Sequence, residues 1–150
     1  MASSFSNILI HVVFSTKHRE PLIADAWRGE LQSYMSSVAG NLDCPPLAIN
    51  SVPDHVHILL PLARTVTIGD VVRDIKVASS KWVGKRGLSA TPFAWQTGYG
   101  AFSVSESHSD AVKNYIQNQA EHHKKMSFRD EFLTLLRRNR MAFDEKYIFE

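Results

Sequence analysis

The chain has a single cysteine and no apolar run long enough to cross a bilayer. One cysteine, Cys44, excludes an internal disulfide and any zinc site built from several thiolates. A membrane-spanning helix needs about 20 consecutive apolar residues, and the sequence contains no such run. The first five residues lack the basic-then-apolar layout of a secretory signal, and no repeat or low-complexity linker interrupts the chain. These absences predict one cytoplasmic domain spanning residues 1–150.

Positive charge is concentrated in the second part of the chain. Residues 1–63 hold three Lys/Arg against five Asp/Glu, whereas residues 64–150 hold fourteen against ten. Five of these basic residues fall in one predicted helix, and we call them the basic stripe: Arg73, Lys76, Lys81, Lys85 and Arg86. A stripe of this kind is expected where a protein contacts a nucleic acid. A solvated helix face is the alternative explanation.

The first half of the chain predicts strands around one helix. Residues 4–16 are rich in β-branched and aromatic side chains, which favours a strand. Pro21 opens a helical pattern that continues to about Asn41. Two short apolar runs, 48–52 and 55–60, are separated by a Pro-Asp pair, which is typical of a hairpin.

The second half predicts three helices with the same start signal. Residues 67–70, 107–110 and 127–130 each place a hydroxyl three positions before a carboxylate, which suits a helix N-terminus. The helices should span about 67–86, 108–125 and 128–139. Between the first two, the aromatic stretch 93–105 contains Gly98 and Gly100, which indicate a bend between short strands.

The resulting order is β-α-β-β-α-β followed by extra C-terminal helices. This order matches the ferredoxin-like plan, an α+β fold in which an antiparallel sheet carries helices on one face. The opposite face of the sheet would then be free for nucleic acid, a partner or a site.

The sharpest chemical signal is the segment DHVHILL at 54–60. Because strand side chains alternate, His55 and His57 share one face, about 6.6 Å apart along the strand, and both imidazoles can converge on one metal ion. Val56 and Ile58 would point into the core. Two surface histidines are the plain alternative. Asp54 either orients an imidazole from behind or only forms the turn after the preceding proline.

The second signal is the segment KNYIQNQ at 113–119. On a helix, Tyr115 and Gln119 lie one turn apart on the same face, while Val112 and Ile116 form a neighbouring apolar stripe that would dock on the sheet. Tyrosine is a competent covalent nucleophile although its ordinary pKa is near 10, and a carboxamide oxygen can ligate a cation. Read alone, the pair is also compatible with an ordinary amphipathic helix.

Taken together, two imidazoles and an amide oxygen leave positions on a cation for a phosphate that a tyrosine can attack in line. Ligation by nitrogen and oxygen without thiolates favours Mg²⁺ or Mn²⁺, although imidazole also suits zinc.

H-V-H at 55–57 followed by Y-x-x-x-Q at 115–119 resembles the single-tyrosine HUH transposases. These are the small transposases of single-stranded-DNA insertion sequences and their relatives, the REP-associated tyrosine transposases. The resemblance also includes HVVFSTK (11–17), PDHVHIL (53–59), IKVASSKW (75–82), WQTGYGAFSV (95–104), YIQNQAEHHKK (115–125) and DEKY (144–147).

The resemblance implies a specific activity. Such enzymes are ferredoxin-like homodimers joined at their sheet edges. They bind hairpins in single-stranded DNA and cleave nearby with Mg²⁺ or Mn²⁺. The tyrosine takes the 5′ phosphate, and the free 3′ hydroxyl serves in strand transfer. Carried over, His55, His57 and Gln119 would be the metal ligands and Tyr115 the nucleophile. In relatives, the tyrosine helix can serve the histidine pair of the partner chain.

Two other functions compete with this prediction. A catalytically silent or domesticated hairpin-binding protein would keep the fold without the chemistry, but it would need no complete His, His, Tyr and Gln set. An HUH nickase of the replication or mobilisation type is disfavoured by the short chain and by the single tyrosine in the motif.

Some flanking residues keep two explanations each. His122, His123, Lys124 and Lys125 either contact phosphate or place favourable charge at a helix C-terminus. Three aromatic residues of the second half, Trp82, Trp95 and Tyr99, either stack on unpaired bases or belong to the core.

Overall fold

The computed structural model describes residues 3–148. The strands are β1 (Leu9–Ser15), β2 (Ala48–Val52), β3 (His55–Pro61) and β4 (Gly100–Val104). The helices are α1 (Asp25–Asn41), α2 (Ile68–Arg86), α3 (Ser109–Gln117), α4 (Gln119–His122) and α5 (Phe128–Arg138). Within the described range, no helix has the length and apolar character needed to cross a membrane.

The four strands form one antiparallel sheet in the order β2-β3-β1-β4. β1 lies inside the sheet, pairing Val13 with His57 of β3 on one side and with Gly100 of β4 on the other. All seven residues of β1 are buried, as expected for a central strand covered on both faces. The element order and strand order confirm the ferredoxin-like α+β prediction.

One face of the sheet packs against α1 and α2. Val56 and Ile58 of β3 join Phe14 of β1 in a core with Leu31 of α1 and Ile75 of α2, and all five side chains are fully buried. The predicted inward direction of Val56 and Ile58 is therefore confirmed. Strand alternation sends His55 and His57 to the opposite face.

That opposite face is covered, which differs from the open face expected from the sequence. Val13 and Phe102 pack against Phe132 and Leu136 of α5, and Ile116 of α3 packs against the neighbouring part of the sheet. The sheet carries apolar side chains on both faces, so α3 and α5 bury their own apolar stripes against it. The histidine pair consequently lies in an interior between sheet and helices.

Two of the three predicted helix starts are confirmed. The Thr67 hydroxyl accepts a hydrogen bond from the Asp70 amide at 3.1 Å, and the Ser127 hydroxyl accepts one from the Asp130 amide at 3.2 Å. The third signal is wrong, because the Ser107 hydroxyl lies 3.3 Å from the His108 ring and caps no helix N–H. The predicted helix 108–125 is also broken at Asn118, which separates α3 from α4.

We expect Gly100→Ala to destabilise the protein by about 1–3 kcal/mol, the usual cost of overpacking a core. A Cβ at Gly100 would lie 2.9 Å from Cε1 of Phe132 and 3.1 Å from the Phe102 ring, so packed aromatic rings would have to move. The control is Gly84→Ala in α2, where a Cβ meets nothing within 4 Å and alanine favours the helix. Urea unfolding measures both variants; equal stability of Gly100→Ala and wild type would contradict this packing.

Candidate active site

His55 and His57 are fully buried between β3 and the helices of the second face. The His55 ring stacks on Phe128 of α5 with ring centres 4.1 Å apart. The His57 ring meets the Tyr115 ring of α3 edge to face at 5.7 Å. The strand therefore presents both imidazoles to the two helices that cover this face. The alternative of two surface histidines does not hold.

Glu131 of α5 lies at the centre of the site, with only 1% of its surface exposed. Its Oε1 atom is 2.9 Å from His57 Nε2, 3.4 Å from His55 Nε2 and 3.1 Å from His123 Nε2. Its Oε2 atom accepts a hydrogen bond from the Tyr115 hydroxyl and lies 3.2 Å from His122 Nε2. One carboxylate thus joins the histidine pair to the tyrosine.

Four of these side chains form a cluster that we call the ligand cluster: His55, His57, His123 and Glu131. Each offers one donor atom, and the four atoms lie within 4.8 Å of one another. His55 Nε2 is fully buried and has no hydrogen-bond partner, because its approach to Glu131 lacks hydrogen-bond geometry. A buried nitrogen left without a partner is costly unless a cation takes its lone pair. The donor set therefore fits a divalent metal ion.

Residues behind the histidines fix their ring orientations. His55 Nδ1 lies 2.6 Å from Oδ1 of Asp54, and because an ionised carboxylate only accepts, Nδ1 is the donor and Nε2 points toward the cluster. His57 Nδ1 lies 2.8 Å from Nε2 of His11. A partner on the distal ring nitrogen is the usual support of a metal-binding histidine. Asp54 is therefore an orienting residue, and His11 forms the wall of the site.

Tyr115 is half-buried at the edge of this cluster. Besides Glu131, its hydroxyl meets Nε2 of His122 at 3.4 Å. A cleft of about 280 Å³ reaches the hydroxyl and is also lined by His11 and by the exposed Arg138. Within the chain, the Tyr115 ring lies in edge-to-face contact with the His57 ring.

Gln119 is fully buried at the start of α4. Its side-chain Nε2 donates to the carbonyl oxygen of Tyr115 at 3.2 Å, and its Oε1 lies 2.9 Å from Nε2 of His123. The amide therefore sits beside the ligand cluster, with its oxygen on one of the cluster's histidines.

Burial and contacts shift the acidity of the basic groups in the site. Burial lowers the pKa of His57 to about 4, and burial with the neighbouring His57 lowers the pKa of His11 to about 3. Burial also opposes the charged form of His55, but the hydrogen bond to Asp54 and the negative charge of the nearby Glu131 carboxylate outweigh it and raise the pKa of His55 above its ordinary value.

The two acidic groups shift in opposite directions. Burial opposes ionisation of Glu131, yet its close contacts with His123, His55 and His57 hold its pKa well below the usual range. Burial, reinforced by the hydrogen bond to Glu131, raises the pKa of Tyr115 well above its ordinary value. The resting site therefore pairs an anionic carboxylate with a protonated phenol, and the phenolic proton already has an acceptor.

Sequence reasoning missed Glu131 and assigned no ligand role to His123. The signal for Glu131 was present in α5: a carboxylate placed three residues after Phe128 and next to Phe132 lies on an apolar stripe that must be buried. A charged residue on such a stripe needs partners in the interior. No comparable local pattern singles out His123 from His122.

The basic stripe lies on α2, on the opposite face of the sheet from the ligand cluster. Lys81 and Lys85 are exposed there. The Lys76 ammonium donates to the carbonyl oxygens of Gln96 at 2.8 Å and Gly98 at 2.6 Å, which ties α2 to the loop before β4.

The two arginines of the stripe already have acidic neighbours. Arg73 is 3.1 Å from both Asp70 and Asp74. Arg86 pairs with Glu30 of α1.

The three aromatic candidates have different environments. Trp95 belongs to the core, where its N–H donates to the Ser79 hydroxyl at 2.9 Å. Trp82 is half-buried and stacks on Tyr34 with ring centres 5.4 Å apart. Tyr99 is 41% exposed and is therefore the most accessible of the three for stacking on a base.

Comparison of the sequence with known proteins shows similarity to one family of transposases. A family model described as Transposase IS200 like matches residues 4–119. Among curated proteins, the ISDra2 transposase TnpA of Deinococcus radiodurans is 25% identical over 114 residues, covering 73% of this chain and 81% of the relative.

Two solved structures share the fold. One is a protein assigned as a transposase from Deinococcus radiodurans R1, with a TM-score of 0.62 and 23% identity, covering 79% of this chain and 95% of that one. The other is a REP-associated tyrosine transposase bound to a REP hairpin, with a TM-score of 0.61 and 14% identity, covering 82% and 74%.

Proposed function

The chain belongs to the family of IS200-like transposases, and on this premise we propose that it cleaves single-stranded DNA beside a hairpin through a 5′-phosphotyrosine on Tyr115 and then transfers the strand. Membership in the family, which the motif resemblance predicted, implies DNA binding and DNA transposition. The observation that carries the finer proposal is the Tyr115 hydroxyl, which bonds to Glu131 beside the buried His55 and His57.

The chain's own groups suit the proposed step. The Tyr115 oxygen forms a bond to the phosphorus, and the bond from phosphorus to the 3′ oxygen breaks. The phenolic proton passes to Oε2 of Glu131, the acceptor already in contact, and Glu131 then releases a proton through water to the leaving 3′ oxygen. Attack by a 3′ hydroxyl on the phosphotyrosine reverses the bond changes and joins strands without an external energy source. Arg138 in the cleft supplies positive charge for the phosphate.

The proposal includes a divalent cation, for which the resemblance implies Mg²⁺ or Mn²⁺ with His55, His57 and Gln119 as ligands. Such an ion would polarise the phosphate and offset its charge during attack. The chain contributes buried, oriented imidazoles and a site shielded from water by α3 and α5.

The direct test is a covalent adduct between the protein and a hairpin-containing single-stranded oligonucleotide, detected on a denaturing gel with and without divalent metal. We expect a metal-dependent, slower-migrating protein band. Tight hairpin binding without an adduct under any metal condition would instead favour the second candidate, a catalytically silent hairpin-binding protein. The REP-associated relative of the same fold was solved bound to a hairpin, which supports a hairpin partner in both cases.

We propose that the basic stripe contacts the DNA backbone, with Arg73, Lys81, Lys85 and Arg86 facing phosphate and Lys76 also holding the neighbouring loop in place. Replacing both Lys81 and Lys85 by alanine should weaken hairpin binding for all DNA sequences. The plot of log affinity against log salt concentration should become less steep, by the amount expected for the loss of about two phosphate contacts. Fluorescence anisotropy across a salt series measures both quantities.

The matched control for this prediction replaces two exposed lysines outside α2, Lys17 and Lys146, by alanine. The control has the same change in net charge and should retain most of the affinity and salt dependence. Equal losses in both double variants would mean that the stripe is only a solvated helix face and that the effect of charge is non-specific.

The resemblance also implies a homodimer, and we retain it in the proposal with each active site assembled within one chain. Mixing Tyr115→Phe with His57→Ala protein tests this arrangement. If the site were shared between chains, mixed dimers would contain one intact site and recover the adduct. We expect no recovery, because Tyr115 already contacts His57 of its own chain. Recovery to a substantial fraction of wild-type yield would show a shared site.

Two further predictions from the sequence stay in this proposal. A single domain spanning residues 1–150 and a cytoplasmic location are both expected of such an enzyme, and fractionation of the native protein tests the location.

A further inference from the structure

The segment that follows residue 119 supplies two donors of the ligand cluster. The family match ends at residue 119, whereas His123 follows α4 and Glu131 lies on α5. The ligands implied by the resemblance, His55, His57 and Gln119, all fall within the matched region. The two additional donors lie C-terminal to the matched region, after α4 and on α5.

The donor atoms lie close enough together to share one small ion after small side-chain shifts. Metal bonds of about 2.0–2.1 Å at tetrahedral angles place neighbouring donor atoms about 3.3–3.4 Å apart. Around Oε1 of Glu131, the three imidazole Nε2 atoms lie at 2.9 Å (His57), 3.1 Å (His123) and 3.4 Å (His55). All four donors lie within 4.8 Å of one another, so small side-chain shifts suffice to surround an ion.

The rings are also oriented for this purpose. The distal nitrogens of His55 and His57 are occupied by Asp54 and His11, which leaves both Nε2 atoms facing the cluster. His55 Nε2 is fully buried, aims into the cluster and has no hydrogen-bond partner in the described structure. A buried nitrogen without a hydrogen-bond partner supports a metal-ligand role for His55 separately from the distances.

We infer that the cation of this site is held by three imidazoles and one carboxylate, those of His55, His57, His123 and Glu131, and that it is an imidazole-preferring transition metal rather than Mg²⁺. The inference rests on the proposed function only in taking the site to be metal-dependent. Mg²⁺ prefers oxygen ligands and keeps several waters, which a buried site with three imidazoles does not offer. Mn²⁺, Co²⁺ and Zn²⁺ accept mixed imidazole and carboxylate ligation in rising order of affinity toward Zn²⁺.

Gln119 then has a positioning role. Its amide oxygen lies 2.9 Å from Nε2 of His123, the same atom that faces Glu131, and its amide nitrogen is tied to the carbonyl of Tyr115. His123 Nε2 now donates to these oxygens, and a bound cation would replace its proton on that nitrogen, so Gln119 would guide the ring into place. The amide also links the ligand cluster to the turn of helix that carries Tyr115.

The test measures metal binding alone, by calorimetry on the untagged full chain titrated with Mg²⁺, Mn²⁺ and Zn²⁺. We expect Mn²⁺ to bind at least about 100-fold more tightly than Mg²⁺, and Zn²⁺ more tightly still, following the usual affinity order of nitrogen-rich sites. Glu131→Gln should lower the Mn²⁺ affinity by about 100-fold or more and His123→Ala by at least about 10-fold. Gln119→Ala should cost less than His123→Ala, within the roughly 10- to 100-fold range of outer-shell residues.

His108→Ala is the matched control. This exposed histidine contacts Ser105 and lies outside the ligand cluster, so the Mn²⁺ affinity should change by less than about 3-fold. Pulsed EPR of the wild-type protein loaded with Mn²⁺ counts coordinated imidazoles without any variant. We expect three imidazole nitrogens, and this count decides the question even if Glu131→Gln fails to fold.

Two imidazoles in the EPR spectrum, a greater loss in Gln119→Ala than in His123→Ala, or tighter binding of Mg²⁺ than of Mn²⁺ would each overturn the inference. Because no DNA is present, these readouts are independent of the adduct assay. Metal binding as described without any adduct would refute the proposed function alone, and an adduct formed with Mg²⁺ bound by two imidazoles would refute only this inference.

Discussion

Tyr115→Phe is expected to reduce the covalent protein–DNA adduct by at least about 10³-fold, to the background of the assay, since loss of a covalent nucleophile removes the reaction path. Phenylalanine keeps the ring that packs edge to face on His57 and His11. The variant loses only the hydroxyl, with its contacts to Glu131 and His122. The fold should therefore persist, with a stability change of about 1–3 kcal/mol from a buried hydrogen bond to a charged group.

The control for this prediction is Tyr147→Phe, which removes a hydroxyl from an exposed tyrosine outside the site. It should form the adduct at the wild-type level. Hairpin affinity should be unchanged in both variants, because the hydroxyl acts in the chemical step. An adduct of wild-type yield in Tyr115→Phe would eliminate Tyr115 as the nucleophile.

His57→Ala is expected to abolish both tight metal binding and adduct formation. The imidazole is fully buried, and its Nε2 lies 2.9 Å from Glu131, closer than the other two histidines of the ligand cluster. Its removal leaves the buried Glu131 carboxylate with fewer partners. We therefore expect that excess metal in solution will not restore metal binding or adduct formation in this variant. We expect the adduct yield to fall by at least about 10³-fold, which is typical for the loss of an essential catalytic group. We also expect the calorimetric signal for Mn²⁺ binding to disappear.

We expect His11→Ala to weaken metal binding less than His57→Ala does. His11 contacts the distal nitrogen of the His57 ring at 2.8 Å and lies outside the ligand cluster. Its loss should weaken metal binding by about 10- to 100-fold, the range seen for groups that orient a ligand. Equal effects of the two substitutions, or full activity of His57→Ala with any metal, would contradict the assignment of His57 as a ligand.

Much of the fold could be predicted because its signals are local. Alternation along 55–60 placed Val56 and Ile58 in the core, and hydroxyl-to-carboxylate spacing located the starts of α2 and α5. The break at Asn118 and the covered second face could not be predicted in this way. Both depend on how α3 and α5 compete for the apolar surface of the sheet, which is a tertiary effect.

The residues of the candidate site likewise fall into those that local spacing predicts and those that only tertiary contacts bring together. His55, His57 and Tyr115 stood out because their spacing within an element carries chemical meaning, and the structure places them together. Glu131 meets His57 across 74 positions of sequence, and no periodicity encodes that contact. Gln119 was assigned by its helical spacing from Tyr115, and its amide oxygen contacts His123, four residues further on. Long-range contacts such as that of Glu131 with His57 emerge only when the elements are packed.

The central claim, a phosphotyrosine formed within this buried cluster, is tested most directly by mass spectrometry of the trapped adduct after proteolysis and nuclease digestion. If Tyr115 is the nucleophile, we expect a nucleotide joined through its 5′ phosphate to the peptide that contains Tyr115, and a cleaved DNA strand ending in a free 3′ hydroxyl. A nucleotide on any other residue, or a linkage through a 3′ phosphate, would contradict it.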